Sequence, residues 1–354
     1  MHTKDFAERL LAWHAQHGRH DLPWQQNPTP YRVWVSEIML QQTRVITVLP
    51  YFGRFITRFP EVQNLAEASI DEVLAHWSGL GYYARARNLH RAAQKIVAHH
   101  DGIFPKTLEV LRTLPGIGRS TAGAILTLAY GIRQPILDGN VKRVLTRYHA
   151  AAGWPGEPKV EQYLWDLAES HTPEEQTAAY TQAIMDLGAT LCTRSKPECV
   201  RCPFLESCRA CALGKVLDFP ESRPQRTLPV KKVIFILLLN QKNEVLLERR
   251  PTKGIWGGLW IFPSCPPEED PVSWLLKTYG WTVRPIEVWA QMRHTLTHLH
   301  IDITPWVGRL KETAHVNAEH IWHNTNTLDV SVGIAAPVMR LLGGLKRSFR
   351  ESLF

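Results

Sequence analysis

Five of the six cysteines in this chain fall between Cys192 and Cys211, and four of them read Cys192-x6-Cys199-x2-Cys202-x5-Cys208. No other feature restricts the fold as tightly, because four thiolates within 17 residues can wrap a loop around one centre. Disulfides do not account for the crowding in a reducing compartment, whereas a metal does. Structural zinc normally takes two close cysteine pairs separated by a longer loop, and gaps of six, two and five instead suit a cubane with one thiolate per corner. Zinc, and buried cysteines without a ligand, stay open as alternatives at this point. Arg194, Lys196, Arg201 and Arg209 surround these thiols with only Glu198 and Glu206 as acids. Such bases offset the negative charge of a thiolate-bound centre, and those facing outward can touch phosphate or form a solvated loop face. Cys211 is read as an odd thiol outside the ligand set, and Cys265 stands alone.

With 354 residues the chain is long enough for two cores. A composition of 44% hydrophobic and 21% charged residues excludes disorder and a collagen-like fibre. The longest apolar run, Val233 to Leu239, is far short of the roughly 20 residues that span a bilayer. The opening Met1-His2-Thr3-Lys4-Asp5 lacks a signal-peptide core, so a cytoplasmic protein without membrane contact is expected. A net charge of +8 permits a polyanionic partner without requiring one.

Residues 1 to about 190 read as successive helices. Phe6, Leu10 and Trp13 share a face before Gly18, and Val35, Ile38, Met39 and Gln42 follow at helical spacing. Ser69 with Glu72 makes a capping box, and a further helix ends at Asp101-Gly102. Around 214–230 the texture changes to Pro220, Pro224 and Pro229 with Arg223 and Arg226, an extended linker. Beyond it, two strand-like runs flank Asn240-Gln241-Lys242-Asn243 as a hairpin, and strands then mix with helices near Val272–Tyr279 and Ala335–Leu342. The expected architecture is an all-α domain over 1–213, a linker over 214–230 and an α+β domain over 231–354.

Leu114-Pro115-Gly116-Ile117-Gly118 lies between two helical segments. Two glycines around an apolar residue make a tight hairpin whose N–H groups point outward beside a helix N-terminus, a site suited to phosphate; a plain helix connection is the simpler reading. Twenty residues on, Asp138 precedes a helix, where a cap is its ordinary role. The hairpin, Pro135, Asp138 and the four cysteines together resemble the helix-hairpin-helix DNA glycosylase superfamily with its iron–sulfur loop, over most of residues 25–210. With that resemblance, a [4Fe–4S] cluster on Cys192, Cys199, Cys202 and Cys208 is preferred to zinc.

Within the superfamily the chain looks most like the adenine DNA glycosylases of the MutY type. Val35-Ser36-Glu37-Ile38-Met39-Leu40-Gln41-Gln42-Thr43 matches the segment around that family's catalytic Glu, which implies this role for Glu37. Where lyase-competent relatives carry a nucleophilic Lys, this chain has Ser120, so no amine stands there to form a Schiff base. Gly79-Leu80-Gly81-Tyr82-Tyr83-Ala84-Arg85-Ala86 matches the segment whose first Tyr wedges into the duplex, against a core aromatic as the plainer reading. Residues 254–263 resemble the approach to a Nudix box, but the next residues, 264–271, lack the Arg-Glu-x-x-Glu-Glu helix that would hold Mg²⁺. In the family this domain detects 8-oxoguanine with a Phe-Ser-His loop, and here Leu296-Thr297-His298 stands in its place.

The resemblance implies a monomeric, monofunctional enzyme that removes adenine paired with 8-oxoguanine or guanine from double-stranded DNA. Glu37 would be general acid, Asp138 would stabilise the sugar cation, and Asn140 would orient Asp138 or water. DNA contacts would come from Gln42, Tyr82, Leu114, Gly116, Gly118, Ser120, Thr297 and His298. Competing readings are a bifunctional oxidised-pyrimidine glycosylase and lyase, a nucleotide pyrophosphohydrolase, and a non-catalytic iron–sulfur DNA sensor.

Overall fold

A computed structural model of the chain describes residues 3–224, 227–312, 317–325 and 332–351. It separates into two compact units. The first holds the chain up to Glu67 and again from Asn88 to Pro224, and the second holds Ala68–Arg87 and the described chain from Thr227 on. Residues 225–226 of the expected linker lie outside the described residues.

The first unit is helical, and among the described residues no strand precedes Val230. Its helices start where the sequence supplies an oxygen for the free N–H groups of a first turn. Thr29 accepts from the Arg32 N–H ahead of the helix Pro30–Leu40, and Asp138 does the same ahead of Gly139–His149. The helix Thr3–His17 turns Phe6, Leu10 and Trp13 into a core shared with Leu145, Tyr148, Leu164 and Ile184. Phe204, from the cysteine loop, joins that core by stacking on Phe6 with ring centroids 4.2 Å apart. Arg9 fastens the loop from the same helix by donating to the Pro203 carbonyl at 2.5 Å. The first part of the expected linker is fixed as well: the Phe219 carbonyl accepts from Arg147 and Glu221 accepts from the Gly153 N–H.

In the second unit, strands β1 (Val230–Leu239) and β7 (His300–Leu310) pair in parallel, with Val230 opposite His300 and Leu239 opposite Arg309. The sheet runs β3 (Trp260–Ile261), β2 (Glu244–Arg249), β1, β7, β5 (Val283–Val288), with β4 (Ser264–Cys265) on β1, β6 (Met292–Thr295) on β7 and β8 (His320–Asn324) on β2. Residues Phe235 to Leu239 are all buried, as expected when both faces of a strand are covered. Cys265 lies in the core beside Ile236 and Leu275, which explains the isolated sixth cysteine. The hairpin at 240–243 forms as expected, and the Asn240 side chain accepts from the Lys242 and Glu244 N–H groups.

The segment 114–118 turns between the short helix Leu108–Leu111 and the helix Arg119–Tyr130. Gly116 has φ +80°, and a Cβ there would stand 2.8 Å from Asn88 Cβ. Both the backbone sign and the space therefore demand glycine. Gly116→Ala should lower stability by about 1–3 kcal/mol, read from urea midpoints. An unchanged midpoint would show that the turn relaxes freely.

Candidate active site

A cavity of about 1040 Å³ opens in the first unit, lined among others by Trp24, Glu37, Ser120, Asp138, Asn140 and Gln182. That is ample for a purine-sized group. Glu37 reaches it because its helix turns Trp34, Val35, Ile38 and Met39 into protein, leaving position 37 for the cavity. Its half-buried carboxyl has no hydrogen-bond partner among the described residues. Its pKa is pushed up to about 8, first by burial and then by the negative charge of Asp138.

Asp138 is placed differently. One oxygen accepts from the Val141 N–H at 2.8 Å and the other from the Asn140 amide at 3.3 Å. Burial raises its pKa, while the N–H groups of Val141 and Asn140, the Arg143 charge and the Asn140 side chain pull the other way. The N-terminus of its own helix favours the anion too. The net direction for Asp138 is still upward, with burial the largest cause, but its oxygens are met by N–H donors, whereas the Glu37 carboxyl has none among the described residues.

Asn140 is held in turn by Arg143, whose Nη2 donates to Asn140 Oδ1 at 2.8 Å and to the Gly188 carbonyl at 2.6 Å. That carbonyl is available because Leu187–Leu191 is a π turn: the Cys192 N–H bonds to Leu187 O, one residue further back than in an α-helix. Gly188 also admits Asn140, since a Cβ there would lie 2.6 Å from Asn140 Cβ. Arg143 Nε reaches the Cys192 carbonyl, and one turn on, Arg147 donates to the carbonyls of Thr193, Arg194 and Phe219 and to Cys192 Sγ at 3.4 Å. Arg147 is 2% exposed, and among the described residues no carboxylate pairs with it.

Five thiols, of Cys192, Cys199, Cys202, Cys208 and Cys211, line one small cavity against Arg147. Among the described residues no three or more His, Cys, Asp or Glu side chains are grouped closely enough to hold a metal ion.

The structure brings Glu37, Gln42, Ser120, Asp138 and Asn140 onto one cavity. Gln42, expected on the helix with Val35, Ile38 and Met39, instead lies beyond its end at Leu40, exposed and left-handed at φ +57°. Ser120 accepts from the Leu137 N–H at 3.1 Å, so its hydroxyl fixes the approach to Asp138. Leu114 is 3% exposed, so only its backbone can serve an external ligand, whereas Gly116 and Gly118 are exposed. Tyr82, 47% exposed at φ +48°, belongs to the second unit, as do Thr297 and His298, both exposed in the β6–β7 turn. Arg143, Arg147 and Gly188 were not expected from the sequence; arginines five and nine residues after Asp138, one turn apart on one helix, were the available signal.

Residues 35–170 match the HhH-GPD superfamily of base excision DNA repair proteins and residues 234–343 match the NUDIX domain. The first unit is similar in fold to a thermostable thymine-DNA glycosylase, with TM-score 0.55 and 25% identity, covering 60% of this chain and 97% of that one. Fold and matches together define a DNA glycosylase, an enzyme that hydrolyses N-glycosidic bonds, joined to a Nudix-like domain. An adenine DNA glycosylase of Buchnera aphidicola subsp. Acyrthosiphon pisum is 39% identical over 97% of this chain and 98% of its own length. The human adenine DNA glycosylase is 37% identical over 73% of this chain and 57% of its own length. The chain belongs to the adenine DNA glycosylase family of the MutY type.

The raised pKa of Glu37 carries a stability consequence. Its folded value lies above the unfolded one, so the stability it contributes is complete below about 4.5 and is lost as pH rises through about 8. Glu37→Gln stays neutral, so its advantage over wild type should grow across that window to about 1–3 kcal/mol, a figure discounted for the partial exposure of the site. Urea melts at pH 5 and pH 8.5 measure it, and an advantage that does not change with pH contradicts the assignment.

Proposed function

We propose that the protein hydrolyses the N-glycosidic bond of adenine paired with 8-oxoguanine or guanine in duplex DNA, with no lyase step. The carrying observation is the unequal pair of carboxyls in one purine-sized cavity: Glu37 without donors and with a pKa of about 8, Asp138 with two N–H donors and a helix N-terminus. The adenine leaves the stack to enter such a pocket. Glu37 gives its proton to a ring nitrogen, so the base departs neutral. The Asp138 carboxylate faces the positive charge that develops on the sugar, and water adds at the anomeric carbon. Asn140 is a positioning residue for Asp138. The lack of an amine at Ser120 supports the monofunctional reading.

DNA backbone would lie against Gly116 and Gly118, and Gln42 and Tyr82 would enter the duplex. Thr297 and His298 would read the lesion. The helix Pro271–Tyr279, at the place where a Nudix enzyme needs its acidic helix, contains no acid, which supports recognition over hydrolysis in the second unit. Cys192, Cys199, Cys202 and Cys208 would hold a [4Fe–4S] cluster. A ring of thiols wider than a single ion's shell and a buried guanidinium lacking a carboxylate both suit a larger anionic group. When bound, such a group closes the loop through iron–thiolate bonds. A cytoplasmic monomer acting on double-stranded DNA completes the reading, and no helix among the described residues is long and apolar enough to cross a membrane.

Glu37→Gln and Asp138→Asn should each cut single-turnover adenine excision by roughly 10²–10⁴-fold while duplex binding changes little. Wild-type excision should fall as pH rises through about 8, as Glu37 loses its proton. Near-normal excision by either variant would remove its assigned role. Thr297→Ala and His298→Ala should each reduce the preference for adenine opposite 8-oxoguanine over adenine opposite guanine by about fivefold. An unaltered preference in both would place lesion reading elsewhere.

A further inference from the structure

The fifth thiol of the cysteine loop has no part in a four-ligand reading. Cys211 nevertheless lines the same cavity as the other four. It does so because the single helical turn Arg209–Ala212 follows Cys208, and residues three apart on a turn share a face.

The four thiols of that reading are held unequally. Cys192 Sγ accepts from Arg147, the Cys208 thiol donates to the Arg147 carbonyl at 3.4 Å, and Cys202 accepts from the Phe204 N–H. For the Cys199 thiol there is no hydrogen-bond partner among the described residues. It opens the short turn Cys199–Arg201, whose next residue, Val200, is 87% exposed. Cys199 and Cys211 line the same small cavity, so the least anchored corner shares it with the spare thiol.

We propose that Cys211 is a reserve ligand for the corner served by Cys199, taking over when the Cys199 thiolate is lost from the centre. The proposal rests on the reading that this loop holds an iron–sulfur cluster. The exchange balances without an oxidant or reductant: the iron bond to Cys199 breaks, one to Cys211 forms, Cys211 releases its proton to solvent, and Cys199 takes one up.

The test uses the full chain purified without oxygen, with iron per chain and visible absorbance as readouts. Cys211→Ala should carry as much iron as wild type. Cys199→Ala should keep about half or more, and the double variant roughly tenfold less than Cys199→Ala. A Cys199→Ala protein as poor in iron as the double variant, or a double variant as rich as Cys199→Ala, overturns the proposal. A second measurement needs no change at Cys199: release of iron to a strong chelator should be roughly fivefold faster from Cys211→Ala than from wild type, and equal rates overturn the proposal as well. Wild type without iron overturns the cluster reading itself, an outcome distinct from either.

Discussion

A buried guanidinium must find an acceptor for each donor or the fold loses several kcal/mol, and Arg147 meets that demand with the cysteine loop. Its bonds to the carbonyls of Thr193, Arg194 and Phe219 fix three points of a segment that has almost no regular structure of its own. The helix that carries Arg147 starts at the Asp138 cap, with Arg143 between them. Loop, helix and carboxylate are therefore joined in one hydrogen-bonded network. Phe204 stacked on Phe6 adds an apolar anchor to the loop. Among the described residues Arg147 donates to no carboxylate, and its acceptors are backbone carbonyls and the Cys192 sulfur.

The two carboxyls show how the fold gives chemically similar groups different surroundings. Glu37 projects from the later part of its helix, where backbone N–H groups are already used within the helix and none is left to stabilise its anion. Asp138 occupies a cap, where free N–H groups are aimed at it. The charge on Asp138 also helps to raise the pKa of Glu37. This difference follows from where each residue sits along its helix.

Much of this was legible in the sequence, because the signals were local. Periodicity located the helices, Asn240 and its neighbours located a hairpin, and the run from Leu114 to Gly118 located a turn between helices. The features that escaped depend on long-range bonds. Arg143 and Arg147 look like ordinary solvated bases on a helix until the loop some 45 residues later closes over them. Leu114 belonged to the turn motif, yet its side chain turns inward to the core. Gln42 continued the helical spacing but falls past the helix end, where φ changes sign. The grouping of Ala68–Arg87 with the second unit could not be read locally either, since it rests on contacts such as the Tyr83 hydroxyl with the Ile334 carbonyl.

The π turn before Cys192 constrains the length of the chain there as well as its path. A helix carrying one residue more than its hydrogen-bond ladder requires can shed that residue and become more regular. Here regularity would return the Gly188 carbonyl to the ladder and withdraw it from Arg143. Cys192, which closes the turn, would also rotate by about 100° around the helix axis relative to the core. Between Asp186 and Cys192 the number of residues is thus under a stricter constraint than their identity, so this stretch should tolerate substitutions at its solvent-facing positions and reject any single-residue deletion.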